Sequence, residues 1–269
     1  MRSALYVPGN RPELFDKALS GPADVVLLDL EDSVPVRDKD SARAEVAAWL
    51  RSIPAGRHRI WVRVNPGERG HEDIRAVAGP PVSALCLAKT ESAAQVRAAE
   101  AMVRGHEQIR FCPLLESATA VLQAREIAAA QRVERLQLGE ADLRADAGID
   151  PGPDDLELLA IRSHLVLVSA AAGIEPPLAP VSTDFRDLGA LRTSTEALAR
   201  LGFRGRACIH PAQIPVVNDV FTPTPAELAA ARTLVARFEA ARGGVVLDDK
   251  GRMVDIAVVR AARRLLAAD

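Results

Sequence analysis

Ionisable side chains stand where the short apolar runs of this sequence end. Asp29, Glu31 and Asp32 close VVLLDLED, Arg63 and Asn65 lie in IWVRVN, and Lys89 and Glu91 follow ALCLA. Glu116 follows FCPLL, Glu140 and Asp142 follow LQLG, Asp184 follows LAPVST, and His210 follows RACI. Unrelated strand ends would not all switch from apolar to ionisable at one layer. If Glu116 and Asp142 end neighbouring strands, their carboxylates can converge. Two hard oxygen ligands with room left for water and substrate suit Mg2+ better than zinc. The alternative pairs each carboxylate with one of the many arginines. Arg63 points either into the mouth, offering its fork to a substrate carboxylate, or into a buried ion pair. Lys89 admits a Schiff-base aldolase, since a desolvated lysine can lose its proton and attack a carbonyl; otherwise it is an ion-pair partner of Glu91 or Glu116. His210 is a general base or a cap on its strand, and no carboxylate partner for it is visible.

Positioning such a ring requires strands whose ends share a face. Eight β-branched or Leu-rich runs read as strands: Ser3 to Pro8, Asp24 to Glu31, Arg59 to Asn65, Ala84 to Thr90, Arg110 to Glu116, Arg135 to Asp142, Leu178 to Phe185 and Arg206 to His210. Helical patterns lie between them near residues 11–20, 38–52, 71–78, 92–104, 117–131, 154–172 and 187–202. Strict alternation, with strands apolar enough to be covered on both faces, predicts an α/β fold with a parallel sheet, a closed (β/α)8 TIM barrel whose active groups sit at the C-terminal strand ends. A doubly wound open sheet is the rival, but no G-x-G-x-x-G or G-x-x-x-x-G-K-[ST] follows any strand. Residues 1–222 would form the barrel. Residues 223–269 are surplus to it: a helix from Thr224 to Arg242, a connection from Gly243 to Gly251, and a terminal helix from Ile256 to Ala268. They predict a C-terminal helical extension and lid, with Gly243, Gly244 and Gly251 as joints.

Composition narrows the partners. The 34 basic and 36 acidic residues nearly cancel and aromatics make up 3%, which leaves neither an electrostatic footprint nor stacking platforms for nucleic acid. No apolar run reaches the roughly 18 to 20 residues of a membrane span, and MRSALYVPGN lacks a secretory h-region, so a cytoplasmic protein without membrane attachment is expected. Cys86, Cys112 and Cys208 each sit in an apolar segment without ligand spacing, and packing is their expected role.

At these residues the chain resembles the HpcH/HpaI aldolase and citrate lyase beta-subunit family, in particular its stand-alone CitE-like members. The likeness is carried, in family order, by LYVPGNRPE (Leu5 to Glu13), VLLDLEDSV (Val26 to Val34), VRVN (Val62 to Asn65), LAKTES (Leu87 to Ser92), LLES (Leu114 to Ser117), GEADL (Gly139 to Leu143), CIHPAQIPVVN (Cys208 to Asn218) and GRMVD (Gly251 to Asp255). It implies a Mg2+-dependent (β/α)8 barrel, a homotrimer or a multiple of one, that makes or breaks a carbon–carbon bond between an acyl thioester and an α-keto acid such as oxaloacetate. Position by position, it puts metal ligands on Glu116 and Asp142, a keto-acid carboxylate clamp on Arg63, and an acid/base aspartate on Asp255, on a lid reaching a neighbouring subunit. Asp255 directly before Ile256 would equally serve as a helix N-cap. Glu31 and Asp32 would stand behind the metal ligands and orient its water, and Arg11 would meet a phosphate of coenzyme A. The sequence departs from the family at Ala88, Ala141 and Ala179, which bears on the substrate rather than on any ligand. The expected reaction is cleavage or formation of a citryl, malyl or citramalyl thioester carried by coenzyme A or an acyl carrier protein. A malyl- or citramalyl-CoA thioesterase and a non-catalytic binder of thioester or keto acid are the alternatives.

Overall fold

Seven parallel strands form the sheet of the protein, in the order β6-β5-β4-β3-β2-β1-β7. The computed structural model describes residues 1–54, 59–241, 246–247 and 251–267. The elements run β1 (Ser3–Pro8), α1 (Phe15–Leu19), β2 (Val25–Asp29), α2 (Lys39–Ser52), β3 (Ile60–Val64), α3 (Gly67–Val77), β4 (Val82–Leu87), α4 (Ala93–Met102) and β5 (Arg110–Leu115). They continue with α5 (Ala118–Leu122), α6 (Ala124–Ala128), β6 (Gln137–Leu138), α7 (Glu140–Ala147), α8 (Leu156–Ala172), α9 (Leu188–Leu201), β7 (Arg206–Cys208) and α10 (Gln213–Phe221). Every residue of β2 and β3 is buried, as strands covered on both faces must be. Leu27, Trp61, Cys86, Cys112, Leu114 and Leu178 belong to one apolar cluster. All three cysteines are free and buried.

Six of the expected strands appear with ends within three residues of the sequence reading, and two are shorter than expected. The run Arg135 to Asp142 pairs only through Gln137–Leu138, because the chain turns at Gly139 and EADLRADA starts a helix whose first turn carries Glu140 and Asp142, where acidic groups suit the helix dipole. Asp142 is therefore a helix residue, not a strand end. The run Leu178 to Phe185 forms only single parallel bridges, Gln137 to Leu178 and Ala179 to Arg206. Pro180 brings no N–H to a ladder, and beyond it Asp184 Oδ1 accepts from the amides of Arg186 and Asp187 at 2.9 and 3.3 Å, bending the chain into α9. The helices α7 and α10 were not read from the sequence.

The chain separates into two compact units, Met1–Asp219 and Val220–Asp269. In the second, Thr224 opens α11 (Pro225–Ala240) with a capping box closed by Glu227. A two-stranded antiparallel ribbon of β8 (Val246–Leu247) and β9 (Met253–Val254) precedes α12 (Ile256–Leu266), which packs on α11. Gly251 adopts a left-handed φ of 72°, whereas Gly243 and Gly244 lie outside the described residues.

Candidate active site

Arg63 enters a buried ion pair. Its Nε and Nη2 donate to Asp29 Oδ1 and Oδ2, both at 2.6 Å, in a two-pronged bridge between β3 and β2. Asp29 is wholly buried and also accepts the amides of Glu31 and Ser33, at 2.9 and 3.1 Å. Burial would raise its carboxyl, but the Arg63 guanidinium holds it below the usual range. Arg63 Nη1 lies 3.1 Å from Glu31 Oε2 and 3.6 Å from Asp32 Oδ2. A guanidinium has five N–H groups. Asp29 takes two and Glu31 one, which leaves enough donors for one more carboxylate at the C-terminal strand ends.

The loop after β2 is fastened from beneath by a network that joins Asn65 of VRVN to residues outside every motif. Lys39 Nζ donates to the carbonyls of Leu30 and Glu31 and to Asn65 Oδ1, at 3.0, 2.9 and 2.7 Å. Asn65 Nδ2 in turn donates to Leu30 O and to Asp73 Oδ2. Asp73 is buried and receives Arg43 Nε at 2.7 Å. Helix α3 comes this close only because residue 70 is glycine: a Cβ there would fall 1.8 Å from Asn65 O. The network fixes the backbone carrying Glu31 and Asp32.

Lys89 stands among four carboxylates. Its Nζ lies 2.5 Å from Glu31 Oε1, 3.5 Å from Asp32 Oδ1, 3.5 Å from Asp142 Oδ2 and 4.0 Å from Glu116 Oε2. Its backbone, at a φ of 50° that a side-chain-bearing residue seldom adopts, aims its N–H at Glu116 Oε1, 3.2 Å away. Partial burial would favour the neutral amine, but Glu31 and the other carboxylates outweigh it and raise the ammonium pKa. That is opposite to what an imine-forming lysine needs. The expected partner Glu91 instead accepts from Ser117 Oγ at 2.6 Å.

Glu116 follows β5 directly and is 5% exposed, while Asp142 is half-buried in the first turn of α7. Burial, and then the hydrogen bond shared with Asp142, push Glu116 up to about 8, and that same bond holds Asp142 low. One oxygen from each of Asp32, Glu116 and Asp142 lies within 4.8 Å of the others. Asp32, expected to stand behind the two ligands, thus lies in one cluster with them. Gly139 makes the approach possible, since a Cβ there would fall 2.5 Å from Glu116 Cγ and 3.2 Å from its Cδ. Three carboxylates converging beside the Lys89 ammonium form a hard, oxygen-only donor set of the kind that holds a divalent cation.

Other candidates are occupied elsewhere. Glu140 makes a two-pronged bridge to Arg162 of α8, at 2.6 and 2.8 Å. Arg11 is exposed and pairs with Glu13. His210 Nδ1 accepts the Ala212 amide at 3.1 Å, and its ring stacks on Phe185 at 4.8 Å, the structural role. Asp255, in the second unit, caps α12: its Oδ1 accepts the amides of Ala257 and Val258, at 2.9 and 3.0 Å. Among the described residues no helix is long and apolar enough to cross a membrane.

The chain as a whole is similar to known proteins. The sequence profile of the HpcH/HpaI aldolase/citrate lyase family matches residues 2–211. A (3S)-malyl-CoA thioesterase of Cereibacter sphaeroides is 34% identical over 99% of this chain and 93% of its own length. The citrate lyase subunit beta of Leuconostoc mesenteroides is 33% identical over 98% of this chain and 92% of its own. Among solved structures, CitE from Mycobacterium tuberculosis in complex with magnesium, acetoacetate and coenzyme A superposes with a TM-score of 0.82 at 33% identity, covering 99% of this chain and 97% of that one.

Proposed function

Since the chain belongs to the HpcH/HpaI aldolase/citrate lyase family, we propose that it is a Mg2+-dependent carbon–carbon lyase acting on a β-hydroxyacyl thioester of the citryl, malyl or citramalyl type. The products are an α-keto acid, such as oxaloacetate, and an acyl thioester of coenzyme A or an acyl carrier protein. The observation that carries this reading is the convergence of Asp32, Glu116 and Asp142 beside Arg63, whose Nη1 lies 3.6 Å from Asp32 Oδ2. The reading takes the sheet as a closed (β/α)8 barrel, supported by the bridges at Leu178 and Ala179 that link β6 to β7. Residues 223–269 then form its helical lid, in a homotrimer or a multiple of one.

Glu116 and Asp142, with Asp32, would hold the ion. Mg2+ supplies charge that lowers the pKa of the substrate hydroxyl and favours the ketone oxygen it becomes. Arg63 binds the adjacent carboxylate and orients the bond to be broken, a contribution worth several kcal/mol in well-aligned systems. Glu31, held by Lys89 and Arg63, keeps both cations in register. As the bond breaks, the hydroxyl proton passes to water, its oxygen becomes the keto group, and the electron pair of the carbon–carbon bond passes to the thioester as an enolate. Asp255 is the residue proposed to protonate that enolate carbon, on the strength of the GRMVD resemblance. Arg11 is proposed to meet a phosphate of coenzyme A.

A thioesterase is the second reading, favoured by the 34% identity to the malyl-CoA enzyme. The synthetic direction separates the two. With Mg2+, acetyl- or propionyl-CoA and glyoxylate, pyruvate or oxaloacetate, a lyase makes a new β-hydroxyacyl thioester. Release of free thiol from malyl-CoA with no carbon–carbon bond made or broken would favour the hydrolase, and no turnover of any thioester would favour a binding protein.

A further inference from the structure

Beside Arg63, against the apolar cluster of the sheet, stands a polar pair that the proposed chemistry leaves unused. Tyr6 on β1 is the chain's one tyrosine, and the Arg63 Cζ stands 4.8 Å from its ring centroid. Its hydroxyl lies 3.0 Å from Gln137 Nε2, which donates to it, and 3.3 Å from Gln137 Oε1. Gln137, on β6, is 2% exposed, and its Oε1 also accepts from Cys86 Sγ at 3.9 Å. The two residues come from strands at nearly opposite positions in the sheet order, 131 residues apart in sequence. Packing alone would be served as well by Phe and Leu, and a buried amide is costly unless it is bonded.

We propose that Tyr6 and Gln137 are positioning residues for Arg63, setting the height and tilt of its guanidinium relative to the carboxylates that hold the metal. The inference rests on the lyase reading and specifies how that site recognises the carboxylate of an α-keto acid. Asp29 and Glu31 bind Arg63 through its N–H groups and fix how it points. Those bonds resist tilting poorly, whereas a ring stacked underneath stops the guanidinium from sinking into the interior and attracts its charge. The hydroxyl–amide bond then fixes the ring. Gln137 stands two residues before Gly139, which abuts Glu116, and five before Asp142. One hydrogen bond therefore ties the strand beneath Arg63 to the strand that leads into the metal ligands. Burial raises the Tyr6 phenol pKa well above its ordinary value, so the group acts as a neutral hydroxyl and not as a proton carrier.

The test compares wild type, Tyr6→Phe, Tyr6→Leu and Gln137→Leu in three measurements: Mn2+ affinity by electron paramagnetic resonance, oxaloacetate affinity by calorimetry with Mg2+ present, and melting temperature. Losing the ring should weaken oxaloacetate binding about tenfold, within the range of a desolvated cation–π contact. Tyr6→Phe, which keeps the ring, should recover most of that loss and match Gln137→Leu, and Mn2+ affinity should stay within about twofold of wild type throughout. The inference is overturned if Tyr6→Leu binds oxaloacetate like wild type, or if metal affinity, oxaloacetate affinity and melting temperature fall together. Should Tyr6→Leu not fold, Tyr6→Phe and Gln137→Leu decide: equal losses of oxaloacetate affinity at unchanged Mn2+ affinity support it, and unchanged oxaloacetate affinity refutes it. A wild-type protein that binds Mn2+ but no keto acid would instead refute the lyase reading, and this inference with it.

Discussion

Substituting Gly139 by alanine should weaken the metal site without replacing any of its proposed ligands. The Gly139 backbone cannot yield, because its N–H donates to Leu115 O at 2.9 Å and its carbonyl accepts the Leu143 amide at 3.2 Å, locking it between β5 and α7. Its φ of −98° is open to alanine, so the effect is steric and not conformational. An added Cβ would lie 2.5 Å from Glu116 Cγ. Ordinary carbon contacts begin at about 3.5 Å, so the Glu116 side chain must retreat by roughly 1 Å. Mg2+ demands near-ideal octahedral geometry at about 2.0–2.1 Å, and a carboxylate displaced by that much no longer meets it together with Asp142 and Asp32. Divalent-cation affinity should fall roughly 10- to 100-fold, the range seen when the support of a metal ligand is lost. Overpacking should cost the fold about 1–3 kcal/mol. Calorimetric titration of Mg2+ and Mn2+ into Gly139→Ala, beside a urea melt, reads both quantities. Wild-type metal affinity in the variant would refute the assignment of Glu116 as a ligand.

Further outcomes follow from the same geometry. Arg63→Lys should weaken keto-acid binding by roughly 1.5–3 kcal/mol, because an ammonium cannot serve Asp29, Glu31 and a substrate carboxylate together; equal oxaloacetate affinity by calorimetry would make Arg63 purely structural. In the metal-free protein, ionising Glu116 is disfavoured by the fold, so stability contributed by this group falls as pH climbs from 4.5 to about 8. Mg2+ must displace that proton, so its apparent affinity should rise about tenfold per pH unit over the upper part of this window and flatten above it, as titrations at several pH values would show. Borohydride with pyruvate should leave no adduct on Lys89, since Glu31 holds it as an ammonium; a trapped lysine found by mass spectrometry would reinstate the imine route. Asp255→Asn should melt like wild type, because asparagine caps about as well, yet lose about 10² to 10⁴ in turnover. A fully active variant would confine Asp255 to its cap.

The strands were legible where burial on both faces leaves long apolar runs, as in VVLLD and IWVRV. They were not legible where two paired residues or a single bridge suffice. Gln137–Leu138 and Leu178–Ala179 are too short to impose a period, and the apolar residues beyond them serve turns and helix starts. Of the site, the residue types at run ends were visible, but their pairing was not. Nothing in the sequence told Arg63 to choose Asp29, or Lys89 to choose Glu31 over Glu91, because those choices depend on which strands are neighbours. Lys39 and Asp73 lie in no motif, and Gly139 heads GEADL without showing its role, because they act through hydrogen bonds and clearance rather than as reacting groups. A glycine directly before EADL, at the point where a strand gives way to a helix, was the one available signal.

The central claim is that the three clustered carboxylates and Arg63 serve carbon–carbon cleavage. Its most direct test is to present malyl-, citramalyl- and citryl-CoA to the metal-stripped protein, add Mg2+, and follow keto acid as its phenylhydrazone while assaying free thiol in parallel. The account predicts that at least one of these thioesters yields keto acid and acyl-CoA in equal amounts, only after Mg2+ is added, with no thiol released and no reaction by Glu116→Gln. Thiol appearing without keto acid, or keto acid formed at the full rate in excess EDTA, would contradict it.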